Sequence, residues 1–295
     1  MTLSEPQGAR GLLTAQSRRV VEAAKLLSSP GRRKAGEFLA EGPNNVRAAI
    51  TTGKALEIFA SEAAAHEHSE LIAAAGEAGI PVCCVDDRAA RKLTDAVTPV
   101  GLVARCALLD CSLPQALGPQ DDWEKPGHAP LVVVLVEPRD PGNVGTALRA
   151  AHAFGASAFL VLGDGVDPHN PKAARSSAGS LFAVPVVRER DVAAALGQLR
   201  DAGLLLFATT ADADLPLDEA ESLLQRPCAW LFGNEASGLP EPAAQAADRR
   251  IAVPMRPTPG FAPIESLNLA VAAGICLYET ARQRSRQAPR PVGIR

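Results

Sequence analysis

Residues 131–284 predict an α/β fold built on a parallel sheet covered on both faces, with a smaller α/β domain ahead of it. Three observations carry this. Continuous apolar runs such as Leu131–Val136 and Leu204–Phe207 suit strands buried on both faces. Ala- and Leu-rich stretches alternate with them, as crossover helices do between parallel strands. Hydrophobic residues make up 47% of the 295 positions and aromatic residues only 4%, so the cores are aliphatic.

Taken in order, Leu13–Ile50 reads as helical pieces broken at Ser28–Gly31, with a short strand at Phe38–Leu39 and a helix opened by Pro43. Strands follow at Ala55–Ala60, Ile80–Val85 and Val100–Ala107, and a helix at Glu67–Ala78 separates the first two. This first domain spans 1–117. A linker over 118–130 (from Gly118 to Pro130) combines Pro, Gly and charge. The second domain, 131–284, opens with a strand at Leu131–Glu137, a Pro/Gly turn and a helix through Ala153. Further strands are expected at Ala158–Leu162, Ala183–Val187, Leu204–Thr209, Ala229–Phe232 and Arg250–Val253. Helices are expected at Asp191–Ala202, Pro240–Ala246 and Ser266–Arg282. An Arg/Pro-rich basic tail, 285–295, is expected to be flexible.

A formal charge of −3 argues against a histone-like polyanion binder but leaves room for a local basic patch. Residues 1–50 hold eight Lys/Arg against four Asp/Glu, and from Thr280 onward there are five Arg and no acid. Arg18, Arg19, Arg32, Arg33 and Lys34 are candidates for phosphate contact, with Asn45 and Arg47 weaker ones; a solvated basic face is the plainer alternative. The six cysteines include an adjacent pair, Cys83–Cys84, and no CxxC, which argues against structural zinc. His66 and His68 stand two apart on an expected helix, a poor spacing for a shared metal. Neither a membrane span nor a secretion signal is evident, and buried thiols fit a reducing cytoplasm. Gly163–Gly165 (GDG) lacks the dinucleotide-binding spacing, and no P-loop occurs, so a nicotinamide oxidoreductase is disfavoured. Asp121–Asp122 fall in the linker and read as solubilising charge.

Three phrases concentrate polar residues where strands end: Glu137–Arg149 (EPRDPGNVGTALR), Leu231–Pro240 (LFGNEASGLP) and Glu265–Glu279 (ESLNLAVAAGICLYE). Singly, each has a structural explanation. Asn143 reads as a cap, Arg149 as half of a surface ion pair, Gly233 and Gly238 as turn residues, Glu235 as a helix cap, and Ser266 as the cap of the last helix. In this order, however, they resemble the three motifs of the TrmH/SpoU family of RNA ribose 2'-O-methyltransferases. The resemblance covers most of Leu131–Arg282. It implies a C-terminal SPOUT domain with a deep trefoil knot, which periodicity could not reveal. It also implies a ribosomal-protein-like, substrate-binding amino-terminal domain, S-adenosylmethionine as cofactor, no metal, and a homodimer.

The resemblance further implies site residues. Asn143, Arg149, Glu235, Ser266 and Asn268 stand at the catalytic positions. Thr209, Phe232, Gly233, Asn234, Gly238, Ile251, Pro254, Met255, Leu267, Ser266 and Asn268 stand where the cofactor is held. Arg175 and Ser176, in Arg175–Gly179 (RSSAG), stand where RNA is met. An arginine is too basic to take the ribose proton, but its fork can hold an RNA phosphate and stabilise charge on the attacking oxygen. The segment RPTPGFAPI, from Arg256 to Ile264, is longer than in many relatives, with Pro257, Pro259 and Pro263 restricting it and Gly260 permitting a bend. The implied substrate is 23S ribosomal RNA. The alternatives are a transfer-RNA 2'-O-methyltransferase or a noncatalytic RNA-binding or ribosome-assembly protein.

Overall fold

The alternation of apolar runs and helix formers resolves into two units in a computed structural model describing residues 11–120, 123, 129–210, 212–256, 259, 260, 262 and 264–286. Most of the expected 118–130 linker, including Asp121–Asp122, lies outside these residues, as do Pro257, Pro263 and the expected tail from 287 onward.

Unit 1 is Met1–Leu108 with His169–Phe182. Its strands are β1 (Glu37–Glu41), β2 (Ala55–Ser61), β3 (Val82–Val85) and β4 (Leu102–Ala107), in the order β1-β4-β2-β3. β4 runs antiparallel to both neighbours, and only β2 and β3 are parallel. Its helices are α1 (Arg18–Ala24), α2 (Ser29–Ala35), α3 (Pro43–Thr51), α4 (Glu62–Glu67), α5 (Ser69–Glu77), α6 (Asp87–Lys92) and α9 (Pro171–Ser177). The helix expected over 67–78 is α5, and a separate short helix, α4, precedes it with Ser61 capping its start through Ala64 N–H. One core joins Val20 and Leu26 to Leu39, Phe59, Val85, Leu93 and Val103.

Two basic-patch assignments in this unit need correction. Arg32 is 2% exposed and donates to the carbonyls of Leu26 (3.2 Å) and Leu27 (3.0 Å), so it closes the end of the preceding helical turn and cannot reach phosphate. Asn45 is equally buried; its Nδ2 donates to the carbonyls of Glu41 and Ala174, and its Oδ1 accepts from Gly179 N–H. It thereby ties the 169–182 segment to the start of α3. Arg175 on that segment is held by Glu41 (3.0 Å) and Asp95 (2.5 Å), and Ser176 donates to the Lys172 carbonyl. Arg19 pairs with Glu57 and Arg47 with Glu70. Arg18, Arg33 and Lys34 are exposed.

Unit 2 is Leu109–Pro168 with Ala183–Arg295. Its strands are β5 (Leu131–Val136), β6 (Ala158–Leu162), β7 (Val186–Glu189), β8 (Leu205–Thr209), β9 (Leu215–Pro216), β10 (Cys228–Phe232) and β11 (Arg249–Ala252). They form one parallel sheet in the order β7-β6-β5-β10-β8-β11-β9. The helices are α7 (Leu113–Leu117), α8 (Pro141–Ala153), α10 (Val192–Asp201), α11 (Glu221–Leu224), α12 (Glu241–Gln245) and α13 (Leu269–Ser285). Every residue of β5 and β10 is buried, as the unbroken apolar runs require. Side chains alternate across the sheet. Val132, Val134, Leu206 and Leu231 meet α7, α10 and α12, while Trp230 on the opposite face donates its Nε1–H to Thr280 of α13 at 3.0 Å.

The expected domain limits differ from these units in two places. Leu113 and Ala116 bury their side chains in the unit 2 core, so α7 belongs there rather than with the first domain. The stretch 169–182, which in sequence runs within the second domain, packs with unit 1, where His169 lies edge-on to Phe38 and Phe182 stacks on the same ring. The basic carboxyl end is also partly structural. Arg284 donates to the carbonyls of Leu224, Ala129, Pro130 and Arg226, fastening α13 to the start of the sheet, and Arg282 pairs with Glu279. Those guanidiniums are spent on carbonyls and a carboxylate, and so are not offered to phosphate.

Candidate active site

Because β5, β10, β8 and β11 are parallel neighbours, their carboxyl ends lie along one edge of the sheet, where open α/β sheets bind ligands. The loops after them contain the polar phrases. After β5, Asp140 caps α8: its Oδ1 accepts from Gly142 N–H (2.5 Å) and Asn143 N–H (3.2 Å), and Pro141 supplies the first-turn proline. The sequence reading gave that cap to Asn143. An Asp directly before Pro at a helix start was the signal for the right residue.

After β10 the chain turns tightly. A Cβ on Gly233 would lie 2.0 Å from both the Gly238 carbonyl carbon and the Leu239 nitrogen, so only glycine fits. Asn234 and Gly238 exchange both backbone hydrogen bonds (3.1 and 3.0 Å), and Asn234 Oδ1 accepts from Ala236 N–H, Ser237 N–H and the Ser237 hydroxyl. The Asn234 carbonyl oxygen is thus committed to shaping the turn. Glu235 stands at its tip.

The third phrase ends at Asn268, whose Oδ1 accepts from Ala270 N–H (2.9 Å) and Val271 N–H (3.3 Å). Asn268, rather than Ser266, is therefore the cap of α13, and the helix starts at Leu269 instead of 266. Ser266 is exposed and Leu267 half-buried.

One hydrogen-bonded chain joins the three phrases. Asn268 Nδ2 donates to Asn143 Oδ1 at 2.9 Å, and Asn143 Nδ2 donates to Glu235 Oε1 at 2.8 Å. Glu235 also accepts from Arg139 N–H (3.0 Å, Oε2) and Asp140 N–H (3.3 Å, Oε1). The polarity is forced. A carboxylate only accepts, so Asn143 turns its NH2 to Glu235 and its carbonyl to Asn268. Asn268 then keeps its own carbonyl for the helix end.

Desolvation pushes the Glu235 carboxyl upward. The hydrogen bond from Asn143 and the backbone N–H groups of Arg139 and Asp140 outweigh it and hold the group below its ordinary range. A carboxylate so stabilised is a weak base and a good anchor.

The remaining residues are less tightly gathered. Arg149 is exposed on α8, with no ion pair among the described residues. It lies about 9 Å further along the helix axis than Asn143 and about 120° around it. The structure does not bring it into the Asn143–Glu235–Asn268 chain. Thr209 donates from Oγ1 to the Leu231 carbonyl at 2.9 Å, tying the ends of β8 and β10, and pairs in register with the buried Ile251. Phe232 is buried, whereas Pro254 and Met255 are exposed.

Residues 130–278 match the SpoU rRNA Methylase family, and 18–104 match an MRM3-like substrate binding domain. The chain belongs to the SpoU rRNA methylase family. It is accordingly an RNA 2'-O-ribose methyltransferase using S-adenosylmethionine, with a SPOUT-like C-terminal domain and a small amino-terminal substrate-binding domain. It is similar to an uncharacterized tRNA/rRNA methyltransferase of Synechocystis, 32% identical over 92% of this chain and 94% of that protein. It is likewise similar to the 23S rRNA (guanosine(2553)-2'-O)-methyltransferase RlmP of Bacillus subtilis, 31% identical over 90% of this chain and 96% of RlmP. Among solved structures, the SpoU methyltransferase AviRb of Streptomyces viridochromogenes in complex with AdoMet superposes with a TM-score of 0.76. That pair is 27% identical, over 92% of this chain and all of AviRb.

The cradle fits such a cofactor. Adjacent parallel strand ends carry loops rich in small residues, and the Gly238–Leu239 backbone closes tightly over Gly233, so backbone groups rather than a side chain line the end of β10.

Proposed function

We propose that this enzyme methylates a ribose 2'-hydroxyl of 23S ribosomal RNA as a cytoplasmic homodimer, with unit 1 presenting the RNA. The hydrogen-bonded chain from Asn268 through Asn143 to Glu235 carries the reading, because it unites the three phrases in one constellation. Relatives named as 23S rRNA methyltransferases, among them RlmP and the uridine enzyme of Streptomyces viridochromogenes, support the substrate.

Bound S-adenosylmethionine supplies an electrophilic methyl group on a sulfonium. The cofactor is held by Thr209, Phe232, Gly233, Asn234, Gly238, Ile251, Pro254, Met255, Ser266 and Leu267. Glu235 stays ionised and fixes the Asn143 amide, so the site is organised before RNA arrives. Arg149 offers a guanidinium with no competing carboxylate among the described residues. It holds an RNA phosphate and stabilises negative charge on the attacking oxygen. Arg18, Arg33, Lys34 and Ser176 supply more distant RNA contacts. Arg19, already paired with Glu57, contributes through its exposed third.

The homodimer is supported by α13. Its first part, Leu269–Tyr278, carries no charged side chain, yet Val271 and Tyr278 remain 50% and 54% exposed. Arg149 on α8, packed against α13, then serves a site completed across the dimer. The cytoplasmic assignment is supported by six free cysteines. Among the described residues no helix is long and apolar enough to cross a membrane.

The test is methyl transfer from labelled S-adenosylmethionine to purified 23S rRNA and, in parallel, to transfer RNA. Transfer to 23S rRNA alone supports the proposal. Transfer to transfer RNA alone replaces the substrate, and binding without transfer identifies a noncatalytic RNA-binding protein.

A further inference from the structure

The Gly163–Asp164–Gly165 turn fails as a nucleotide-binding motif, yet both glycines are demanded by what packs on them. A Cβ at Gly163 would lie 2.8 Å from Glu137 Cγ, and one at Gly165 would lie 2.5 Å from Pro138 Cδ. The Glu137–Pro138–Arg139 tripeptide is therefore seated directly on this turn. Backbone hydrogen bonds pin it: Glu137 N–H donates to the Leu162 carbonyl and Val166 N–H to the Pro138 carbonyl, each at 2.9 Å. Glu137 has φ 49°, a left-handed conformation that residues other than glycine rarely adopt. Pro138 is buried.

This rigid seat ends in Arg139. Its N–H donates to Glu235 Oε2 at 3.0 Å, so its backbone sits against the carboxylate that anchors Asn143. Its side chain is 60% exposed. Its ion-pair partner among the described residues is Glu137 at 3.8 Å, too long for a hydrogen bond. Three carboxylates, Glu137, Asp140 and Glu235, crowd this approach to the site. RNA phosphates arriving there meet repulsion unless a cation intervenes. Between 137 and 149 the sequence supplies two, Arg139 and Arg149.

We propose that Arg139 is a phosphate-binding residue of this active site, its guanidinium holding the substrate strand beside the ribose that is methylated. The assignment rests on reading Asn143, Glu235 and Asn268 as the site. The strained Glu137–Pro138 seat on the GDG turn fixes where the guanidinium starts. The long Glu137 contact lets it exchange a carboxylate for a phosphate.

The test compares wild type with Arg139→Ala, Arg139→Gln and Arg139→Lys, using protein-free 23S rRNA and labelled S-adenosylmethionine. The expected result for Ala and Gln is a KM for RNA raised on the order of tenfold, with kcat and calorimetric cofactor affinity kept. The slope of log affinity for RNA against log salt is expected to fall by about 0.7, the signature of one lost phosphate contact. Lysine is expected to restore the slope and only part of the KM, since it keeps the charge and loses the fork. If Ala and Gln leave KM and slope unchanged while Asn143→Ala impairs transfer, the Arg139 assignment is overturned and the site stands. If Asn143→Ala and Glu235→Ala also transfer methyl groups normally, the site reading itself fails and the Arg139 assignment falls with it.

Discussion

Replacing Asn143 by alanine breaks the constellation at its centre. Two hydrogen bonds vanish together: the 2.8 Å bond to Glu235, which is charge-assisted, and the 2.9 Å bond from Asn268, which is neutral. Bonds to charged groups contribute about 1.5–3 kcal/mol and neutral ones about 0.5–1.5 kcal/mol. Glu235 and Asn268 are exposed and Asn143 half-buried, so water replaces part of each interaction. The low ends apply, giving about 2 kcal/mol for the pair. For a unit of this size that is a fall in Tm of about 4–8 °C. Catalysis suffers more than stability. A loosened Glu235 turn and α13 start misplace both sides of the crevice, and misplacement on the order of 1 Å costs about a hundredfold. The assay is kcat/KM for labelled methyl transfer alongside thermal unfolding by circular dichroism. A double-mutant cycle with Glu235→Ala is expected to show coupling of about 1 kcal/mol. An Asn143→Ala enzyme with full kcat/KM refutes the claim that this chain organises the site, whatever its Tm.

Other consequences can be checked independently. Arg149→Ala is expected to abolish methyl transfer while leaving cofactor affinity and Tm unchanged, because the side chain is exposed and has no acidic partner among the described residues; Arg149→Lys is expected to recover little, since a point charge cannot reproduce the fork. Glu235 has a depressed folded-state pKa, so its stabilising contribution is fully present above the unfolded value near 4.3 and is lost as pH falls through the folded value. The Tm difference between wild type and Glu235→Gln should accordingly be constant at neutral pH and shrink only in acid; shrinkage between pH 6 and 8 contradicts the shift. Arg284→Met removes the donor to the carbonyls of Leu224, Ala129 and Arg226, while Pro130 keeps the Cys228 N–H, and is expected to cost about 3 kcal/mol, read as a lowered urea midpoint.

What the sequence made legible was local. The runs at Leu131–Val136 and Cys228–Phe232 announce strands buried on both faces, because no polar residue interrupts them. Order and chemistry of the three phrases were likewise visible, and the structure joins them through Asn143, Glu235 and Asn268. Long-range packing was not visible. Nothing local to 169–182 says that His169 and Phe182 bury against Phe38, or that Asn45 fastens this stretch to unit 1. Arg32 looks like its neighbours Arg33 and Lys34 in a basic run, and only the helix turn over it decides that its guanidinium points inward. The misplaced start of α13 has a simpler cause. Ser266 and Asn268 are both good caps, and the choice fell to the one whose other amide atom had a partner in Asn143.

Distant polar turns that meet to methylate a ribose leave a chemical record, read by mapping 2'-O-methyl groups in 23S rRNA incubated with S-adenosylmethionine and either the wild-type enzyme or Asn143→Ala. One ribose mark is expected to appear with wild type and to be nearly lost with the variant. Methyl groups on bases, or an equal ribose mark from both proteins, would contradict that expectation.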